Sequence, residues 1–104
     1  MKKLKLTSKP ITETQIKHQV KDYLALKGYY SFHLLAGMGA FKGAPDRIAI
    51  SKDGQVYFIE VKKPVGSVQS EWQVKFQQEV EKRGGRYLLV KKLEDLILGL
   101  KEEK

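Results

Sequence analysis

The chain has 104 residues, 41% of them hydrophobic, with 20 Lys and Arg against 12 Asp and Glu, a net charge of +8. That is enough apolar material for one core, which excludes disorder by composition, and the basic balance suits a polyanion such as nucleic acid. The lack of cysteine excludes disulfides, thiolate catalysis and cysteine-based zinc sites, and no stretch approaches the ~18 apolar residues of a membrane helix. Residues 1–10 read as a basic arm carrying Lys2, Lys3, Lys5 and Lys9, with no signal-peptide core after it, so the expected location is the cytoplasm. Residues 11–104 read as a single domain.

Thr12 with Gln15 has the spacing of a capping box, and Ile11 with Ile16 that of a hydrophobic staple. Ile16, Val20, Tyr23 and Leu24 form one helical stripe, and Gly28 is placed to end the helix. Tyr29 to Leu35 reads as a strand, and the glycine-rich Ala36 to Pro45 as a loop. Arg47 to Ser51 and Gln55 to Lys62 are two strands around Lys52-Asp53-Gly54. Pro64 ends the second. Ser70 with Gln73 repeats the capping-box spacing. Trp72, Phe76 and Val80 then form an apolar stripe, for which Trp72 is expected in the core, and Gly84-Gly85 closes the helix. Arg86 to Val90 is a strand and Leu93 to Leu100 a last helix. The order αβββαβα, with an antiparallel hairpin and one helical crossover, implies a mixed α/β sandwich.

Charged residues interrupt this pattern at the end of the best strand. Val56, Phe58, Glu60 and Lys62 share one face, so a glutamate and a lysine continue an apolar row. Alone, such a pair reads as an ion pair at a sheet edge, with Lys62 or Arg47 as the partner of Glu60. Asp46 begins the preceding strand. A two-residue Asp53-Gly54 turn would set Arg47 opposite Glu60. A three-residue turn with Gly54 in the left-handed region would bring Asp46 to face Glu60. Both turns suit the sequence, and the second is predicted because it gathers two carboxylates and a lysine in one small volume. Two such carboxylates can hold Mg²⁺ or Mn²⁺, which prefer oxygen ligands. Lys62 beside them can orient or deprotonate a water, or offset charge on a phosphate. Glu13, in the first turn of the first helix, is a further candidate ligand, although helix-dipole chemistry alone would also place it there.

Gly43-Ala44-Pro45-Asp46-Arg47, Ile59-Glu60-Val61-Lys62-Lys63-Pro64 and Ser70-Glu71-Trp72-Gln73 resemble the PD-(D/E)xK nuclease superfamily, in particular the stand-alone VRR-NUC domains of bacteria and phages. The resemblance runs from Glu13 to the last helix. It implies a restriction-endonuclease-like αβββαβ core, a mixed sheet flanked by helices. It also implies Asp46, Glu60 and the Val61 carbonyl as metal ligands, Lys62 as the catalytic lysine, Glu13 as the acidic residue of the first helix and Gln73 as the glutamine of the second. One departure is Gln69, where an apolar residue is usual; Val68, one place earlier, is the expected substitute. The implied activity is that of a Mg²⁺- or Mn²⁺-dependent endodeoxyribonuclease in a bacterial or phage-infected cell. A homodimer would give each strand of a branched DNA, such as a Holliday junction, its own site. The rival is a DNA-binding module that has lost catalysis, which has no use for two carboxylates facing phosphates.

Other residues have weaker claims. Lys42, Arg47 and Lys63 are the expected phosphate contacts nearest the site, with Lys91 and Lys92 further off. His18 and His33 share no metal-ligand spacing and read as structural. Gly37 to Gly43 lacks the Gly-Lys-Ser/Thr of a nucleotide-binding loop.

Overall fold

The computed structural model describes residues 10–35 and 41–101, so the basic arm and the tip of the glycine-rich loop lie outside the described residues. Helix α1 (Glu13–Leu26) opens on the full Thr12–Gln15 capping box, the two reciprocal bonds measuring 2.8 and 3.1 Å. It closes on Gly28 at φ +84°, where the Gly28 N–H donates to Ala25 O and the Tyr29 N–H to Leu24 O, the paired bonds of a Schellman turn.

Strands β1 (Tyr30–His33), β2 (Arg47–Ile50) and β3 (Val56–Val61) form an antiparallel meander. Helix α2 (Glu71–Lys82) crosses over to β4 (Arg86–Val90), which pairs parallel to β3. The sheet order is β1-β2-β3-β4, and helix α3 (Leu93–Lys101) completes the chain. This is the expected α/β architecture, a mixed four-stranded sheet flanked by helices. The first strand is shorter than Tyr29–Leu35. Tyr29 is taken by the helix-ending turn, and after His33 a single Leu34 N–H bond to Asp46 O continues the ladder.

The register of the β2–β3 hairpin is Arg47 against Ile59 and Ile50 against Val56, so the three-residue turn is the one formed. Gly54 sits in the left-handed region at φ +89°, and its N–H donates to Ser51 O. This register, continued one pair, sets Asp46 against Glu60.

The two sheet faces differ. Ala49, Tyr57, Ile59, Val61 and Val90 point to one face and are sealed by Ile16, Val20 and Leu24 of α1 and Leu96 and Leu100 of α3; all ten are buried. Burying this much apolar surface is the main driving force of the fold. On the other face α2 covers only part of the sheet. Phe76 lies edge-on to Phe58 at 5.6 Å and tilted against Tyr87 at 6.3 Å, and no residue of α2 is fully buried. Trp72 is therefore not core: it is 47% exposed. Steps of four residues advance about 40° beyond a full helical turn, so a stripe centred on Phe76 carries Trp72 off the contact line. Among the described residues no helix is long and apolar enough to cross a membrane.

Candidate active site

Asp46 is fixed from two sides. Its backbone carbonyl accepts the Leu34 N–H of the β1 side at 2.7 Å, and its Oδ2 accepts the Val61 N–H of β3 at 2.6 Å. A side chain thus closes the hairpin where the backbone ladder ends. It brings the first carboxylate to the residue after Glu60.

Glu60 is 3% exposed. Its Oε2 accepts a hydrogen bond from Gln73 Nε2 at 2.8 Å and lies 3.5 Å from Lys62 Nζ, while Oε1 is buried without a hydrogen-bond partner. Burial, and next the charge of Asp46, push the Glu60 carboxyl up to about 7, against the opposing pull of Lys62. A carboxylate in this position is under-compensated by the protein.

Gln73 performs both functions open to it. Its Oε1 accepts the Ser70 N–H at 2.9 Å, Ser70 Oγ accepts the Gln73 N–H at 3.1 Å, and the side-chain amide donates to Glu60. The capping box orients the amide, so the start of α2 is tied directly to the buried carboxylate.

Glu13 does not close a third side. Among the described residues no group of three His, Cys, Asp or Glu side chains comes together as a metal site. Glu13 Oε2 lies 3.4 Å from Lys17 Nζ, and that ammonium lies 3.4 Å from Asp46 Oδ1. Burial works to lower the Lys17 ammonium, but Asp46 and Glu13 outweigh it and hold it above its usual value. Sequence reasoning missed Lys17. The available signal was its place four residues after Glu13, on the same face of α1.

Two grooves reach Asp46. One is lined by Lys17, His18, Lys21, His33 and Arg47. Arg47 lines it and donates to Ser31 Oγ at 2.8 Å. Both histidines are exposed along this groove and neither packs in the core. The other groove is lined by Phe41, Lys42, Gly43, Trp72 and Gln73. Lys63 is exposed just past Lys62. Val68 does not replace an apolar residue at 69, because it is exposed. Gln69 itself turns inward and donates to Gln77 Oε1 at 3.0 Å and to the Tyr87 hydroxyl at 3.3 Å. A polar pair thus fills the apolar position.

A solved structure described as a VRR_NUC domain superposes on this chain with a TM-score of 0.74, covering 88% of this chain and 97% of its own. The fold is that of a VRR_NUC domain. Identity over the match is 22%, so the likeness is one of architecture. No family model matches the sequence, and no curated protein matches it.

The site fits a hard divalent cation on its own chemistry. The VRR_NUC fold here presents two carboxylates from paired strands, one with a buried, unpartnered oxygen. Oxygen donors and an under-compensated negative charge are what such a cation requires. Asp46, Glu60 and the Val61 carbonyl would hold it.

Proposed function

We propose that this protein is a Mg²⁺- or Mn²⁺-dependent endodeoxyribonuclease. The observation that carries the reading is the hairpin register, which sets Asp46 beside a buried Glu60 whose Oε1 has no protein partner. A bound cation would supply Lewis-acid activation of the attacking water and charge compensation at the phosphate. The chain's own groups do the rest. Asp46 is held rigid by the Val61 N–H, and Glu60 by Gln73. Lys62 places its Nζ 3.5 Å from Glu60 Oε2, where it orients the attacking water and offsets charge that grows on the phosphate oxygens. The groove of Lys17, Lys21 and Arg47 offers cations to the backbone on one side of the scissile bond.

A homodimer would give each of the two strands of a branched DNA its own site. Tyr30 and Phe32 support a second copy: they lie exposed on the edge strand β1 with their rings 5.9 Å apart.

A cleavage assay tests the proposal. Wild type, Lys62→Ala and Asp46→Asn meet a four-way junction, a flap, a linear duplex and supercoiled plasmid with Mg²⁺, Mn²⁺ or EDTA. Metal-dependent cutting lost in both variants supports it. Folded wild type that binds DNA and never cuts refutes it and leaves a binding module.

A further inference from the structure

The second groove at Asp46 differs from the first in its chemistry. Trp72 stands 47% exposed and Phe41 74% exposed. The Lys42 ammonium lies 4.8 Å from the centre of the Trp72 ring. Phe41 packs edge-on to Phe76 at 6.1 Å, so the two exposed rings border an aromatic row that continues into the sheet. The backbone of Trp72 is closely packed from below. Gly43, at φ +86°, lies so close that a Cβ there would meet the Trp72 carbonyl oxygen at 2.3 Å. Trp72 is also the residue before Gln73, which holds Glu60. The backbone that carries the ring is thus held within one residue of Gln73, and the ring shares a groove with Asp46.

An exposed indole with a cation over it suits a flat apolar ligand that carries negative charge nearby. Nucleobases meet that description, because their faces stack on aromatic rings while their phosphates seek lysine. Lys42 and Lys75 supply cations around the aromatic groove. Lys75 belongs to an adjoining groove that shares Phe41, Lys42 and Trp72, and the one carboxylate of that adjoining groove, Glu79, is paired with Lys82 and Arg83. The interior of a duplex keeps its base faces stacked on one another, so away from duplex ends only an unpaired nucleotide can use the ring. The lysine argues against a second copy of the chain as occupant, since a purely apolar dimer contact has no use for a cation over its central ring.

We propose that Trp72, with Phe41 and Lys42, is a stacking site for one unpaired nucleobase of a DNA strand whose backbone runs into the Asp46–Glu60 site. This rests on the nuclease reading and narrows it to substrates with an unpaired nucleotide beside the cut, such as flaps.

Trp72 is the single tryptophan of the chain, so its emission reports on the site directly. The experiment is a titration of wild type in EDTA with a fluorescently labelled dT oligonucleotide and with a labelled blunt duplex, reading tryptophan emission and label anisotropy together. Binding of the single strand is expected to quench the tryptophan in step with the anisotropy, and binding of the duplex to leave it unchanged. Trp72→Ala should weaken single-strand binding about 5- to 150-fold, the range for one stacked base, with duplex affinity within about twofold; Trp72→Phe should retain most of the affinity. If Trp72→Ala does not fold, the wild-type titration and Trp72→Phe decide the matter. Single-strand binding with unchanged emission overturns the proposal, as does an equal loss on both DNAs. So does sedimentation showing that Trp72→Ala separates a dimer, which would assign the face to a second copy. No metal is present, so these outcomes are independent of cutting: absent cleavage sinks the nuclease reading, and absent quenching sinks this one.

Discussion

Replacing Glu60 by glutamine should stabilise the metal-free protein at neutral and alkaline pH. Burial and the facing Asp46 raise the Glu60 carboxyl from 4.5 to about 7. Between those values the native state holds more protons than the unfolded state, so this residue's contribution to stability falls as pH rises through the window. Above pH 7 the accumulated cost is roughly 3 kcal/mol as an upper figure, because each pH unit that separates the two values is equivalent to about 1.36 kcal/mol. Glutamine keeps the shape and the oxygen that accepts from Gln73, but it leaves Lys62 without its carboxylate. The net gain should therefore be about 1–2 kcal/mol, or roughly 5–15 °C in melting temperature for a domain of this size. The assay is thermal unfolding of wild type and Glu60→Gln in EDTA at pH 5 and pH 8, repeated with Mg²⁺ at pH 8. The variant should match wild type at pH 5 and exceed it at pH 8, and Mg²⁺ should raise wild type alone. A variant that melts at or below wild type at pH 8 in EDTA would refute the claim that Glu60 is an under-compensated charge, and with it the physical ground for a cation there.

Lys17→Met removes the counter-charge from Asp46. It should cost less than about 1 kcal/mol of stability and tighten Mn²⁺ binding roughly three- to tenfold by calorimetry, whereas unchanged affinity would mean that Lys17 and the cation do not share Asp46. Gly43→Ala should destabilise by about 3 kcal/mol or more in urea unfolding, because positive φ and a collision with the Trp72 carbonyl act together. Gly54→Ala, with nothing within 4 Å of its Cβ, should lose only about 1–2 kcal/mol. Gln73→Ala breaks the α2 cap and the bond to Glu60 at once and should cost about 2 kcal/mol, whereas Ser70→Ala, which spares Glu60, should cost about 1 kcal/mol. Equal losses for the last two would mean that the Glu60 bond contributes nothing.

Elements whose signals are local were legible in the sequence. Thr12–Gln15 and Ser70–Gln73 formed their capping boxes because the interacting groups lie three residues apart, and Gly28 ended α1 for the same local reason. That Asp46, Glu60 and Lys62 come together was only partly legible: strand alternation put Glu60 and Lys62 on one face, but two turns suited the sequence and the one formed was chosen because it gathers the carboxylates, while Gln73 on α2 entered only through its capping-box spacing and the family resemblance. The misreadings involve distant partners. Whether Trp72 is buried depends on how far α2 extends over the sheet, which the helical stripe does not encode. Gln69 turns inward because Gln77 and Tyr87 wait there, eight and 18 residues away. Lys17 joined the site only once α1 was laid beside the hairpin.

The arrangement of charge argues that stability was not what placed these residues. Glu60 occupies a buried position beside Phe58, where an apolar side chain would cost nothing in desolvation. Gln73 and Lys62 offset part of the cost through a single oxygen, and the other oxygen has no protein partner. A purely structural ion pair would satisfy both oxygens, since a half-satisfied buried carboxylate is worse than a hydrophobic substitute. Asp46 adds a second negative charge across the register, and Lys17 counters it only from a partly exposed helix face. The incomplete compensation is concentrated where the two strands and the start of α2 converge. That is where a hard cation with oxygen ligands would supply the missing charge.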